Sequence, residues 1–182
     1  MHNLWGHFKT ITAHKLRVMR LCFRCGLYKQ GLLHDLSKYS PQEFFTGVKH
    51  YQGNKSPNGV ERKLIGYSSA WLHHKGRNKH HWEYWVDLIH GEAIPARMPL
   101  CYVIEMFCDR IAATKTYRKK AYTDASALAY FTYNYHNVIM HPDTKALIQM
   151  MLEHVSQYGL SDTISFINTQ VKVKGYALVT KV

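Results

Sequence analysis

Apolar positions in the first part of the chain recur at helical spacing. His7, Ile11, His14, Val18, Leu21 and Cys25 fall on one stripe of a helix predicted over residues 3–28, three or four residues apart as a 3.6-residue period requires. A short helix is expected at about 30–37. Ser40-Pro41 opens another through Tyr51, with the proline in the first turn, where its missing N–H removes no bond. Val60, Leu64, Tyr67, Trp71 and His74 line one row and predict a single helix over 59–75. A short aromatic helix is expected over 80–90, and Pro99 opens a long helix to about Arg118. Asp124, Pro142-Asp143 and Ser161 read as start signals for helices at 124–140, 143–158 and 161–172. The tail after Gly175 is apolar and β-branched, a short strand or a loose end.

Polar breaks at Gly53–Gly59, Gly76–Asn78 and Gly91–Pro99 punctuate this pattern. It lacks the strand–helix alternation that a parallel sheet needs. The expectation is an all-α bundle of about seven to nine helices. It is expected to form a single domain over residues 1–175 with a C-terminal tail at 176–182.

Composition narrows the class. Hydrophobic residues make up 46% of the 182 positions and charged residues 20%, which is a globular balance. The most apolar stretch, Leu100 to Ala113, carries Glu105, Asp109 and Arg110, so no membrane span is expected. Met1 to Lys9 lacks the charged head and apolar run of a secretory signal, which predicts a cytoplasmic protein. Cys22-x-x-Cys25 lies inside a helix, and Cys101 and Cys108 lie on another. That spacing suits four reduced, mostly buried thiols better than a zinc ribbon or finger. The formal net charge of +12 favours anionic partners: nucleotides, other phosphates or nucleic acid.

The chemistry-bearing segment is Gly31-Leu32-Leu33-His34-Asp35-Leu36-Ser37-Lys38. Imidazole nitrogen and carboxylate oxygen together suit divalent ions. Adjacent side chains point about 100° apart on a helix, so both reach one ion only where the helix end abuts a cavity. His14 lies upstream on the inner stripe. His73-His74-Lys75-Gly76-Arg77-Asn78-Lys79-His80-His81 follows, and Cys108-Asp109-Arg110-Ile111 sits inside an apolar helix, where a carboxylate needs a partner. Glu105, one turn before Asp109, is placed either to orient a metal-bound histidine or to pair with a lysine. Glu83 reads as a helix-start charge. Tyr39, Tyr67, Trp71 and Trp82 are candidates to stack on a base or to fill the core.

The order His … His-Asp … Asp resembles the HD-domain superfamily of metal-dependent phosphohydrolases. Leu32 to Lys38 is similar to that superfamily's signature, and Cys108 to Ile111 to its closing segment. Residues 10–140 also resemble a bacterial and phage domain family, through His34 to Pro41 and the histidine-rich segment 73–85. The resemblance implies an HD-like helical bundle in which His14, His34, Asp35 and Asp109 hold a first ion and Asp35 bridges to a second. Among the 73–81 histidines the implied ligands of that second ion are His74 and His81, with His73 and His80 as supporting or phosphate-binding groups. One or two divalent ions (Mn, Fe, Co, Ni, Mg or Zn) are expected. Asp35, Lys38, Arg77 and Arg110 are the expected catalytic residues, with Lys38, Arg77 and Arg110 contacting phosphate and Lys75 solvated. The implied reaction is hydrolysis of a phosphomonoester or phosphodiester in a nucleotide-like substrate. A mixed-valent di-iron oxygenase, built on four histidines and two aspartates, and a basic non-catalytic nucleic-acid-binding protein are the other classes the residues permit.

Overall fold

The first apolar stripe forms α1 (His2–Arg24), which turns Ile11, Val18 and Cys22 into the core together with His7 and His14. The chain is seen as a computed structural model that describes residues 2–53 and 55–180. Met1, Asn54 and the last two residues of the expected tail lie outside the described residues. α2 (Tyr28–Leu33) packs back against α1 through Gly31, where a Cβ would meet Cys22 and Phe23 at 3.0 Å. A 3-10 turn (Leu36–Tyr39) leads to α3 (Pro41–His50), capped by the Ser40 hydroxyl. α4 (Pro57–Ile65) and α5 (Ser69–Lys75) pack beside α3.

The central element is α6 (Leu100–Arg118), which begins just after Pro99 as expected. It lies between α1 and α8 (Pro142–Phe166), and α7 (Ser126–Tyr133) closes the core. Positions 103–108, then Ile111 and Ala112, are all buried, so α6 is covered on every side. Phe107, Ile111, Leu147, Ile148, Met151 and Leu152 form the centre of the apolar cluster. Each such side chain contributes roughly 1.5–3 kcal/mol by leaving water. α8 is interrupted at Gly159 (φ 79°, ψ 170°), which separates the two helices expected at 143–158 and 161–172. A π-helical turn (Ile167–Val171) and a 3-10 turn (Gly175–Leu178) follow. Tyr176, Leu178 and Val179 pack on the core, and the Tyr176 hydroxyl donates to the Met98 carbonyl at 2.5 Å. The tail is therefore neither a strand nor a loose end as far as Thr180.

Eight α-helices of six residues or more are present among the described residues, so the all-α expectation holds. Four local expectations do not, the first being the helix at 124–140, which ends at Tyr133 and gives way to a 3-10 turn (Tyr135–Asn137). The helix drawn over 59–75 is two helices. Gly66 adopts φ 83° and ends α4, and the Ser68 hydroxyl caps α5 by accepting from the Trp71 N–H at 3.1 Å. That break turns Leu64 and Tyr67 outward. The aromatic helix over 80–90 is a single 3-10 turn (Trp82–Trp85) followed by a hairpin, β1 (Val86–Ile89) paired antiparallel with β2 (Glu92–Pro95). His90 and Gly91 both take positive φ (53° and 83°) between the strands, the requirement of a tight two-residue hairpin turn. Finally, His34 and Asp35 lie beyond the end of α2, not on its face.

Gly159 occupies a region of φ/ψ space that is essentially closed to other residues. Replacing it with alanine is expected to destabilise the chain by about 1–3 kcal/mol, read as a lowered Tm, without changing metal uptake at the distant His/Asp cluster. An unchanged Tm would show that α8 runs straight through this point.

Candidate metal centre

Five separate segments deliver imidazoles and carboxylates to one interior point. α1 brings His14, and α6 brings Glu105 and Asp109. The end of α2 brings His34 and Asp35, and α5 brings His74. The loop before the 3-10 turn brings His80 and His81. The local reason His34 and Asp35 reach the same point is backbone geometry. His34 is extended (φ −51°, ψ 127°) and Asp35 is left-handed (φ 55°, ψ 25°), a conformation aspartate tolerates better than most residues. The two side chains thereby escape the divergence that a helix would impose.

Two donor groups result, and they share Asp35. In the first, one ligand atom from each of His14, His34, Asp35 and Asp109 lies within 4.8 Å of every other. In the second the same holds for Asp35, His74, His80 and His81. Asp35 is the hinge between them. Its Oδ2 lies 3.2 Å from His34 Nε2 and 3.6 Å from His14 Nε2. Its Oδ1 lies 3.2 Å from His74 Nε2 and 3.4 Å from His80 Nε2. Asp109 Oδ1 closes the first group at 3.0 Å from His14 Nε2.

Several of these atoms have no properly aligned hydrogen bond among the described residues: Nε2 of His14, His34, His74, His80 and His81, and Oδ1 of Asp35. All are buried. Short N···O approaches outside hydrogen-bond alignment leave buried polar atoms unsatisfied, which is unfavourable unless a proton or a metal cation lies between them. A divalent ion fits this donor set. The nitrogen-rich ligands suit a transition ion better than magnesium.

Outer carboxylates fix the rings. Glu105 Oε1 accepts from His34 Nδ1 (2.8 Å) and lies 3.1 Å from His80 Nδ1, so one oxygen faces a ring from each group. Glu43 Oε2 accepts from His74 Nδ1 at 2.8 Å, and its Oε1 from His73 Nδ1 at 2.6 Å. With Nδ1 donating, Nε2 is left as the ligating atom. Asn78 and the Ser37 hydroxyl also pack against His74.

Charge follows the same pattern. Burial disfavours the His34 cation, but Asp35, Glu105 and Asp109 around it outweigh that and raise its pKa to about 10. His81 moves the other way: burial, with His80 and His74 beside it, holds it well below the usual range. Asp35 and Asp109 are held low, since the surrounding histidines, and for Asp35 also Lys38, overcome the burial that would raise them. The cluster thus recruits positive charge from protons when nothing else supplies it, and a divalent ion would displace those protons on binding.

All six expected ligands, His14, His34, Asp35, His74, His81 and Asp109, are brought together. One assignment changes. His80, expected in a supporting role, has its Nε2 in the second group, whereas His73 stands outside as expected, bonded to Glu43. Lys38 lies at the rim and pairs with Asp35 Oδ2. Arg77 is exposed, within 3.4 Å of the His73 carbonyl, and lines a surface cavity with Asn78, His80 and Glu105. Arg110 stacks on Phe131 at 5.3 Å, and burial lowers its pKa. Of the candidate stacking residues, Trp71 packs against His81 at 4.7 Å and Trp82 against the core, Tyr39 bonds the Thr12 hydroxyl, and Tyr67 is exposed. Glu83 does lie in the first turn of its short helix, with one oxygen buried and unbonded. All four cysteines are free thiols.

Glu43 is the residue that sequence reasoning passed over. Ser40-Pro41-Gln42-Glu43 has capping-box spacing, and the Ser40 hydroxyl does accept from the Glu43 N–H at 3.5 Å. The Glu43 side chain, which would normally return to the cap, turns instead to the two histidines.

The fold and this cluster define an all-helical protein whose buried histidines and carboxylates can hold a metal ion. No helix among the described residues is long and apolar enough to cross a membrane. The chain belongs to a family of unknown function (DUF5662), matched over residues 3–154, a span that contains every donor named above. No curated protein matches it, and no solved structure does.

Glu105→Gln keeps the shape of the outer carboxylate and removes its charge. Metal affinity, measured by competition with a chromogenic chelator, is expected to fall about 10–100-fold, with helix content by circular dichroism unchanged. Unaltered affinity would mean that Glu105 does not govern the ligands.

Proposed function

We propose that the protein is a two-ion, HD-type phosphohydrolase acting on a phosphomonoester or phosphodiester of a nucleotide-like substrate. The observation that carries this reading is the sharing of Asp35 between two complete donor groups, with one carboxylate oxygen facing each. Bound there, a pair of divalent ions would acidify water and offset the negative charge that develops on a phosphate ester. The chain supplies the rest. His14, His34 and Asp109 with one oxygen of Asp35 make the first site; His74, His80 and His81 with the other oxygen make the second. Glu105 and Glu43 hold the rings in register. Lys38 is placed to receive a phosphate oxygen, since 27% of its side chain is exposed while Asp35 beneath it is sealed at 2%. The order of the four first-site ligands along the chain, and the Leu32–Lys38 signature, support the HD assignment.

Seven donors converge, one more than the six that either the two-metal hydrolase or the di-iron oxygenase arrangement uses, so metal identity and turnover separate the two. Elemental analysis of purified protein is expected to return close to two transition-metal equivalents. Protein reloaded with Mn, Fe, Co or Ni should hydrolyse bis(p-nitrophenyl) phosphate or a nucleoside monophosphate. His81→Ala should abolish turnover while keeping about one equivalent. Absence of bound metal, or turnover that survives in His81→Ala, would overturn the reading. A mixed-valent di-iron signal from protein purified without oxygen would place it with the oxygenases instead.

A further inference from the structure

The charges on the surface are unevenly spread, and the cluster meets solvent on two sides: at Lys38 and Asp109, and at a cavity lined by Arg77, Lys79, His80 and Glu105. The side chains of His34, Asp35, His74 and His80 are 0–3% exposed, whereas Asp109 is 18% and Lys38 27% exposed. Solvent therefore reaches the first donor group past Lys38 and Asp109, on a side of the cluster separate from the cavity that His80 and Glu105 line. Tyr117 lies on the same helix as Asp109. It is two turns beyond Asp109 on α6, its phenol feels the charges of Lys38 and Asp109, and its ring is 45% exposed.

The acidic residues avoid this side. None precedes Asp35 in the sequence, and none lies between Asp109 and Asp124. Asp35, Glu43, Glu61 and Glu105 are buried in internal bonds. The exposed carboxylates Asp87, Glu92, Glu153 and Asp162 belong to the hairpin and to α8. The end of α6, by contrast, carries Arg118, Lys119 and Lys120 in succession, all exposed. Arg17 of α1 is tied beside them by a bond to the Thr116 hydroxyl at 2.7 Å. Nine residues of helix separate Asp109 from Arg118, about 13 Å at 1.5 Å per residue. That distance is roughly four stacked nucleotides at 3.4 Å each.

We propose that the substrate is a single-stranded nucleic acid, laid along the end of α6 so that Arg17, Arg118, Lys119 and Lys120 hold its phosphates and Tyr117 stacks on a base while one phosphodiester reaches Lys38 and Asp109. This rests on the phosphohydrolase reading for the cutting step, but not for the binding step. A mononucleotide needs no cations about 13 Å from the donors. An unpaired strand offers bases to an exposed aromatic ring, which a duplex keeps stacked inside itself. In the cut, the oxygen of water bonds to phosphorus and the ester P–O bond breaks with its electron pair. The leaving oxygen takes a proton, so a strand plus water gives one fragment ending in phosphate and one ending in a hydroxyl.

The test uses the full chain loaded with Mn and a fluorescein-labelled oligothymidylate of about twelve nucleotides, within the roughly 4–16 that single-strand sites span. Anisotropy is expected to show binding that is at least about tenfold tighter than thymidine monophosphate competes for, falling steeply with salt. Arg118→Glu/Lys119→Glu/Lys120→Glu should weaken it and flatten the log–log salt slope by about 2, at about 0.7 for each phosphate that is no longer neutralised. Tyr117→Ala should weaken binding without changing the slope. Denaturing electrophoresis reads cleavage. Equal competition by the monophosphate and the strand, or binding unaltered in the triple variant at preserved Tm, overturns the proposal. Strand binding without cleavage in any metal leaves the binding face in place and removes the hydrolase, and hydrolysis of bis(p-nitrophenyl) phosphate without strand binding does the reverse.

Discussion

Everything at the centre of this protein depends on one electrostatic constraint: five imidazole nitrogens and two carboxylates are packed, almost dry, around a shared aspartate. Taking such groups out of water costs several kcal/mol for each charge. Mutual hydrogen bonding does not repay it here, because the ligating atoms face one another outside hydrogen-bond alignment. The arrangement is stable only with positive charge at its middle. Protons on rings such as His34 provide part of that charge, and a divalent ion provides it without steric or directional conflict.

The scaffold answers this constraint with very few elements. α6 packs the apolar core with Phe107 and Ile111 while presenting Glu105 and Asp109, one turn apart, to the donors. A helix covered on all sides cannot shift easily, so the carboxylates it carries are fixed by the same packing that builds the core. Glu105 then passes this rigidity to His34 and His80, which stand on segments without regular helix. Glu43 does the same for His74 from α3. The positions least held by secondary structure are thus held by buried anions on helices.

Much of this is legible in the chain. The stripe of α1, the start of α6 at Pro99 and the interruption of α8 follow from periodicity and capping residues, and the six residues expected to converge follow from the resemblance of the motif order. The departures share a physical origin. The break at Gly66-Tyr67-Ser68 is masked by an apolar row that happens to keep helical spacing across it, although the glycine and serine carry the stop and start signals. The hairpin at 86–95 is short and exposed, so no buried face imposes an alternating pattern. His80 joins His81 among the donors because the loop that carries both follows a path that no periodicity describes. Glu43 stays hidden in the sequence because its capping position already explains it.

The left-handed backbone at Asp35 has a bearing on which residue can stand there. Glycine would adopt the conformation most readily and asparagine nearly as well, but neither brings a negatively charged pair of oxygens. Glutamate brings the charge on a longer arm and with a poorer tolerance of that backbone. Aspartate alone satisfies the chain's geometry and the ion's appetite together, so local conformation and coordination act as two independent filters that pass the same side chain.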